Sequence, residues 1–351
     1  MLWVLHTMFP EAPIFTAMWN RSLVDRFKGC DVRTSWMQRL PGIERFPRAY
    51  AAVYPLAFAS MDLKGFDLVI SLTTSFAKGV RAGAGVHVCY CNSPSNFLWR
   101  PQAYFDRSLA RLLTMPLRAW LKAWDRMAAK GPTVWITSGK AVADRIRDCY
   151  QREALIVSPP IERSWFVPHQ TEEFYLVVSR LVPQKRIELA IQACGQLGVP
   201  LQIVGEGRAA VRLRELAAAN VRFLGRVSDD ELRSLYARAR AVLVPAEEDF
   251  GLVPLEAQAA GTPVIAFDAG GARETVIDGG TGIRFAPQTA EALAGAITAA
   301  AGRSWDRRRI QANAARFSEA SFRDGLLAAI RTHRPDDTTA TAVVAREKSA
   351  V

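Results

Sequence analysis

Short apolar runs alternate with segments of helical spacing along most of this 351-residue chain. Four such runs, each of the length and composition of a buried strand, lie in the first half: 66–72, 86–91, 134–137 and 154–157. Five more lie in the second half, with helical patterns between them: 175–179, 201–204, 221–224, 241–244 and 263–267. Because strands and helices alternate, we predict an α/β fold built on parallel sheets.

The alternation stops near residue 160 and restarts at Phe174, after a stretch that contains Pro159, Pro160 and Pro168. Proline and polar residues break both periodicities there, which is typical of an interdomain linker. We therefore predict two Rossmann-like, doubly wound domains. The predicted bounds are 1–160 for the first domain, 161–173 for the linker, 174–317 for the second domain, 318–332 for a further helix and 333–351 for a disordered tail.

The net charge of +11 is concentrated in the first half of the chain. Residues 1–160 hold 21 Lys and Arg against 11 Asp and Glu, whereas the rest holds 24 against 23. A basic first half suits peripheral contact with an anionic membrane surface, or a phosphorylated acceptor. Nucleic acid is not expected as a partner, since no aromatic-basic recognition motif occurs.

The cysteines and the first residues favour a cytoplasmic protein. Five cysteines, two of them in Cys89-x-Cys91 within a strand-like run, are more typical of reduced buried thiols than of a disulfide framework. The chain start lacks the basic segment and cleavage site of a signal peptide, and no apolar run reaches the length of a membrane span. No Cys and His grouping has zinc spacing, so no metal is expected.

Residues 107–129 combine arginines with Leu and Trp side chains. The favoured interpretation is a core-packed helix pair with a solvated basic face, divided at Pro116. The alternative is a helix on a membrane surface, in which Trp120 and Trp124 insert while the arginines lie over lipid phosphates.

The stretch after the strand 241–244 holds the main candidate chemistry. Glu247, Glu248 and Asp249 form an acidic turn, and Glu256 follows on the next helix. Carboxylates accept hydrogen bonds from hydroxyls, while the amides and dipole of a helix start attract an anion. A phosphorylated ligand rich in hydroxyls suits both, and a nucleotide-sugar is such a ligand. The amides in question belong to Phe250, Gly251, Leu252 and Val253.

Two further loops follow strands of the second domain. Arg180 and Lys185 lie at the end of the strand 175–179 and at the next helix start, where two cations can converge on one diphosphate. Gly205-x-Gly207-x-x-Ala210 matches a loosened dinucleotide fingerprint, so an NAD(P)-dependent oxidoreductase stays open at this point. Two observations speak against an oxidoreductase. The match falls in the second βα unit of the domain, and no acidic residue lies at the end of the following strand.

The pattern from Glu248 to Val264, Glu-Asp-Phe-Gly-x-x-Pro-x-Glu-Ala-x-Ala-x-Gly-x-Pro-Val with a further Glu before it, resembles the E-x7-E signature of retaining glycosyltransferases. These enzymes have two Rossmann-like domains facing a cleft (the GT-B architecture), and the resemblance is to family 4, the glycosyl transferases group 1. The run from Ser179 to Lys185 is similar to a second motif of that family. The resemblance implies catalytic roles for Glu248 at the donor sugar and for Arg180 and Lys185 at the diphosphate.

The resemblance also implies a complete donor site without metal or other cofactor. Glu256 would bind the ribose hydroxyls, and the helix 318–332 would cross back to the first domain. The loop of Gly205, Glu206 and Gly207 would lie beside the base and ribose, with Arg226 and Val227 in the base pocket. The amides of Phe250, Gly251, Leu252 and Val253 would face the sugar and the diphosphate.

The first half resembles mannosyl-type transferases of bacterial surface polysaccharide assembly, through Phe9–Thr16 and Cys91–Trp99. This implies GDP-mannose as the first donor candidate, a UDP-hexose as the second, and a glycan or lipid-linked acceptor. Asn92 stands where the family commonly has a His, and Asn92 and Ser93 would lie on the acceptor or sugar side. The resemblance begins at the helix after the family's first strand, so we expect a first domain without its initial strand. A binding paralogue without catalysis and a nucleotide-sugar epimerase are the remaining alternatives.

Overall fold

The computed structural model describes residues 1–20, 27–101, 112, 114–166, 171–333 and 342–346. The chain forms two compact units: unit 1 is Met1–Ser158 with Phe322–Val351, and unit 2 is Pro159–Ser321. Each unit is built on a parallel sheet flanked by helices, which confirms the predicted α/β fold. The segment 161–173, predicted as a linker, is part of unit 2 in this division.

Unit 1 contains a seven-stranded sheet in the order β2-β1-β13-β3-β4-β5-β6, and its pairings are parallel. Its strands are β1 (Ile14–Thr16), β2 (Val32–Thr34), β3 (Leu68–Thr73), β4 (Val86–Cys91), β5 (Val134–Thr137), β6 (Leu155–Ile156) and β13 (Ala342–Arg346). The described helices of unit 1 that precede unit 2 in the sequence are α1 (Leu2–Met8), α2 (Tyr54–Ala59), α3 (Asn96–Trp99), α4 (Met115–Ala128) and α5 (Lys140–Tyr150). Short 3₁₀ turns occupy Trp36–Arg39, Pro47–Tyr50 and Ala77–Gly79.

The strands at the centre of unit 1 are largely apolar because both faces of the sheet are covered. Leu68 and Ile70 of β3 pack with the cluster of α1, whereas Val69 between them packs with the cluster of α2 and α4. Side chains of a strand alternate between the two faces of the sheet. A continuous apolar run is therefore the pattern of a strand with helices on both sides, as predicted.

The C-terminal segment corrects the prediction of a disordered tail. Ala342–Arg346, predicted to be part of a disordered tail, forms β13 between β1 and β3, with Val344 opposite Ile14 and Val343 opposite Val69. Its Ala-Val-Val-Ala run has the β-branched composition of a strand, which the polar residues before it conceal. β13 comes from the C-terminal part of unit 1 and pairs on both sides within the sheet. Residues 334–341 and 347–351 of the predicted tail lie outside the described residues.

Unit 2 contains a six-stranded sheet in the order β12-β11-β10-β7-β8-β9, again with parallel pairings. Its strands are β7 (Tyr175–Val178), β8 (Leu201–Val204), β9 (Val221–Gly225), β10 (Ala241–Val244), β11 (Val264–Phe267) and β12 (Gly282–Phe285). The first five are those predicted. The edge strand β12 was not predicted, since two of its four residues are only partly buried and its apolar pattern is weak.

The helices of unit 2 lie between these strands and after them. They are α6 (Ile187–Leu197), α7 (Ala210–Glu215), α8 (Asp229–Arg238), α9 (Leu252–Ala259), α10 (Ala272–Thr275), α11 (Ala290–Ala301) and α12 (Arg307–Ala315), with 3₁₀ turns at Arg163–Trp165 and Pro183–Lys185. The last helix, α13 (Glu319–Arg331), leads out of unit 2, and its Phe322 and Leu326 pack in the core of unit 1.

Candidate functional site

Most of the predicted site residues lie at one edge of the unit 2 sheet, where its strands end. The chain passes from β7 to β8 on one side and later returns to β10 on the other side of β7. The connections after β7 and β10 therefore lead in opposite directions, which opens a crevice at the carboxyl ends of these strands. Lys185 follows β7 and Glu248 follows β10, so both border this crevice.

Lys185 and Glu248 are in direct contact although 63 residues separate them in the sequence. The Lys185 Nζ donates to both carboxylate oxygens of Glu248, at 2.6 Å each. The side chains of Lys185 and Glu248 are 22% and 25% exposed, respectively, so solvent reaches the pair. A lysine ammonium group can donate to a phosphate oxygen as well as to a carboxylate, so Lys185 remains a candidate phosphate ligand.

The acidic turn is held by the loop that follows β11. The backbone N–H of Gly271 donates to the Glu248 carbonyl at 2.8 Å, and Glu248 forms an isolated parallel bridge with Gly270. A Cβ on Gly270 would lie 2.2 Å from the Glu248 carbonyl oxygen. The glycines of this loop are therefore structural, because only a residue without a side chain permits this approach.

Helix α9 begins directly after the turn, with Gly251 as its N-cap in the left-handed region at φ +94°. The Phe250 side chain is buried and contacts Phe317 edge to face at 5.7 Å. Of Phe250, only the backbone is therefore available to a ligand. The first amides of α9, including those of Leu252 and Val253, have no carbonyl partner within the helix and suit an anion.

Glu256 lies on α9 and is fixed by a residue that the sequence interpretation missed. The Tyr236 hydroxyl, on α8, donates to Glu256 Oε2 at 2.8 Å. Burial raises the pKa of Glu256, and the hydrogen bond from Tyr236 opposes that rise. The pKa of Tyr236 is also raised, first by burial and then by the Glu256 charge. Tyr236 lies on the apolar face of α8, so its sequence position gave no signal beyond core packing.

The loop of Gly205, Glu206 and Gly207 packs tightly against the connection that carries Arg180. A Cβ on Gly205, at φ +130°, would lie 1.9 Å from the carbonyl oxygen of Ser179. The backbone N–H of Leu181 donates to the Glu206 carbonyl at 2.8 Å. This packing accounts for the glycine spacing without a dinucleotide.

Five other predicted site residues do not form hydrogen bonds with the Lys185 and Glu248 pair: Arg180, Arg226, Val227, Asn92 and Ser93. Arg180 is exposed at the end of β7, and Arg226 is exposed after the edge strand β9, where Val227 packs on the unit 2 core. Asn92 and Ser93 belong to unit 1, after β4. There the Arg145 Nη1 donates to the Ser93 Oγ at 3.2 Å, and the Asn92 N–H donates to the Thr73 carbonyl at 2.9 Å.

The part of the chain that the structure describes contains no group of three or more His, Cys, Asp or Glu side chains placed to hold a metal ion. The same residues include no helix long and apolar enough to cross a membrane.

Comparison with known proteins identifies a family match in the part of the chain that carries most of these residues. Residues 162–317 match the family described as Glycosyl transferases group 1. The matched region is most of unit 2, somewhat under half of the chain, and it contains the predicted donor-site residues that follow β7 to β10. The predicted resemblance to this family is thus confirmed for unit 2.

Two curated relatives match part of the chain. A glycogen synthase of Mycobacterium tuberculosis is 40% identical over 133 residues, which are 35% of this chain and 32% of the relative. A GDP-mannose-dependent monoacylated alpha-(1-6)-phosphatidylinositol monomannoside mannosyltransferase of Corynebacterium glutamicum is 42% identical over 114 residues, 28% of this chain and 30% of the relative. The match thus spans about a third of the length of each relative.

Solved structures match over almost the whole chain. Anabaena Alr3699/HepE, crystallised with UDP and glucose, has a TM-score of 0.68 at 18% identity, covering 94% of this chain and 95% of that one. A sucrose-phosphate synthase from Thermosynechococcus elongatus has a TM-score of 0.63 at 20% identity, covering 87% and 82%. These likenesses concern the fold, and they confirm the predicted architecture of two Rossmann-like domains.

Proposed function

We propose that the chain is a retaining glycosyltransferase of family 4. It transfers a hexosyl group from a nucleotide-diphosphate-sugar to a hydroxyl of a glycan or lipid-linked acceptor in surface polysaccharide synthesis. The contact between Lys185 and Glu248 at the switch point of the unit 2 sheet carries the proposal, because a cation for the diphosphate and a carboxylate for sugar hydroxyls meet there. The family match of unit 2 supports it.

The proposed reaction needs little acid-base chemistry from the protein. The bond between the anomeric carbon and the diphosphate breaks, the acceptor oxygen attacks from the same face, and the leaving diphosphate oxygen takes the acceptor proton. Lys185 and Arg180 stabilise the charge that develops on the diphosphate. No metal or other cofactor is required in this scheme.

The other residues orient the donor in the proposed complex. Glu256, held by Tyr236, accepts hydrogen bonds from the ribose hydroxyls. The first amides of α9 bind the sugar and the diphosphate, while Arg226 and Val227 border the base. Asn92 and Ser93 serve the sugar or acceptor from unit 1. GDP-mannose is the first donor candidate, a UDP-hexose is the second, and the proposed location is the cytoplasmic side of a membrane.

Nucleotide release from GDP-mannose and UDP-glucose, measured with calorimetric binding of both, tests the proposal. We expect wild type to bind at least one donor and to release its nucleotide. The Glu248→Gln variant should lower the release rate by about 10²- to 10³-fold, because it removes a charged contact at the donor sugar. The Glu215→Gln variant, which neutralises an exposed carboxylate on α7, is the matched control and should behave as wild type.

The remaining outcomes separate the alternatives. Binding of a donor without turnover, under any acceptor supplied, identifies a binding paralogue. A product formed from the donor without an acceptor identifies an epimerase. Binding of NAD(P)H, with no affinity for either nucleotide-sugar, would replace the proposal with the oxidoreductase.

A further inference from the structure

Helix α4 of unit 1 presents large apolar side chains to solvent. Met115, Trp120 and Met127 are 54%, 48% and 62% exposed. At 100° per residue these three positions lie within an arc of about 140° on one side of the helix. Leu121 and Asp125, on the opposite side, are fully buried. The helix therefore carries an apolar strip that faces away from the core, which we call the outer face of α4.

The inner side of α4 is anchored, so rotation cannot bury the outer face. Asp125 forms a buried ion pair with Lys78 and accepts a hydrogen bond from the Trp99 indole at 2.8 Å. Trp124 packs against Phe76 with ring centroids 5.7 Å apart. The two tryptophans of the helix thus differ in role: Trp124 belongs to the core, as one interpretation of the sequence predicted, and Trp120 does not.

Cations border the outer face on one side. The Lys122 Nζ and the Arg126 guanidinium carbon lie 4.2 Å and 4.9 Å from the centroid of the Trp99 ring. Stacking on Trp99 holds both cations beside the apolar strip. The one carboxylate within α4 is Asp125, and its charge is paired with Lys78 in the interior. The helix surface is therefore apolar and cationic without an exposed acid.

We propose that the outer face of α4 docks on an anionic lipid bilayer. Trp and Met side chains enter the boundary between headgroups and acyl chains, and Lys122 and Arg126 meet lipid phosphates. A second copy of the chain is a poorer partner, because a symmetric contact through this face brings the same cations together. The inference rests on unit 1 alone and holds whether or not unit 2 transfers a sugar.

Sedimentation of the full chain with vesicles tests the proposal. We expect binding to phosphatidylcholine vesicles with about 30 mol% phosphatidylglycerol to exceed binding to pure phosphatidylcholine at least about ten-fold, and to fall as salt is raised. The double variants Trp120→Ser with Met127→Ser, and Lys122→Gln with Arg126→Gln, should each lose about ten-fold in affinity. The double variant Val211→Ser with Leu216→Ser, at exposed apolar positions of unit 2, is the matched control and should bind as wild type.

Thermal unfolding by circular dichroism confirms that each variant is folded, since the substituted side chains of the outer face are exposed. The proposal is overturned if the Trp120 and Met127 variant binds anionic vesicles as wild type does, or if neutral vesicles bind equally well. A concentration-dependent dimer without lipid, abolished by the same two substitutions, would make the face a contact between copies instead.

Discussion

Two of the predicted site residues, Lys185 and Glu248, bind each other, and a third, Glu256, is held by a residue that the sequence did not identify. Lys185 is predicted to hold a diphosphate and Glu248 to lie at the sugar, yet the two bind each other. The ion pair holds both side chains in place, and in the proposed donor complex a phosphate oxygen replaces one of the Lys185 contacts with Glu248. Glu256 similarly depends on Tyr236 for its orientation.

Removing the Tyr236 hydroxyl should make donor binding more sensitive to acid. Burial raises the pKa of Glu256 above its ordinary value of 4.5, and the Tyr236 hydrogen bond lowers it. In Tyr236→Phe the pKa of Glu256 therefore rises further, and this carboxylate, the proposed acceptor of the ribose hydroxyls, is protonated at higher pH. Calorimetric affinity for GDP or UDP, measured between about pH 5 and pH 8, should fall at the acid end by up to about ten-fold more than in wild type.

The raised pKa of Glu256 also determines how the free energy of unfolding changes with pH. A carboxyl whose pKa is raised on folding is destabilising when ionised, so its contribution to stability falls as the pH rises from 4.5 through the folded pKa. The Glu256→Gln variant removes this dependence and is the control for the Tyr236→Phe series. An unchanged pH profile in Tyr236→Phe would contradict the orienting role of the hydroxyl.

Among the elements, α4 depends on a buried ion pair for its attachment to the sheet. Lys78 lies in the 3₁₀ turn Ala77–Gly79; burial lowers its pKa, but the charge and hydrogen bond of Asp125 more than offset this, so the pKa of Lys78 is raised. The ammonium group also lies over the Tyr150 ring, at 5.1 Å from its centroid. The pair thus joins the 3₁₀ turn, α4 and α5 around the end of β4.

The Asp125→Asn variant should lower the free energy of unfolding by about 3–5 kcal/mol, because it leaves the Lys78 charge buried without its counter-ion. Replacing both partners, with Lys78→Met and Asp125→Leu, should recover most of that loss. Urea unfolding of the two variants and wild type measures the difference. Equal stability of the single and double variants would show that the ion pair is not what anchors α4.

The loop after β8 in unit 2 depends on glycine for its packing. A Cβ on Gly205 collides with the Ser179 carbonyl oxygen, so Gly205→Ala should destabilise unit 2 by more than about 2 kcal/mol. Gly195, in the last turn of α6, has no atom within 4 Å of the position of an added Cβ. Gly195→Ala should therefore stabilise the protein by about 0.5–1 kcal/mol. A lower unfolding midpoint for Gly205→Ala and a higher one for Gly195→Ala would confirm that Gly205 is needed for the close packing of its loop.

Strands that are covered by helices on both faces of a sheet could be predicted from the sequence. The contacts between loops could not. Val69 and Ile70 lie in a run whose apolar length alone identifies β3. The contact of Lys185 with Glu248, by contrast, depends on the strand order, which places β7 beside β10. Tyr236 was missed because a core position and a supporting hydroxyl look the same in one sequence. The strand β13 was missed because the residues before it are polar.

At the scale of the whole molecule, unit 1 combines residues from before and after unit 2 in the sequence. Its sheet contains β1 from the first segment and β13 from the second. β13 pairs on both sides, with β1 over three residues and with β3 over five. Its loss would leave two unpaired edges inside a parallel sheet.

Deletion of residues 342–351 should therefore destabilise unit 1 and leave unit 2 folded. We expect faster amide hydrogen exchange at 68–73, the residues of β3, and a greater tendency to aggregate. Nucleotide binding by unit 2 should persist. Deletion of 347–351 alone spares the strand and is the control. Unchanged exchange in the longer deletion would show that β13 contributes little to the sheet.

The position of β13 also sets an order for folding during synthesis. Domains fold as units while the chain leaves the ribosome, the N-terminal one generally first. Here the ribosome has made all of unit 2 before Ala342–Arg346 emerges to pair with β1 and β3. Most of unit 1 is thus translated before unit 2, but its sheet is completed only after unit 2 has been made.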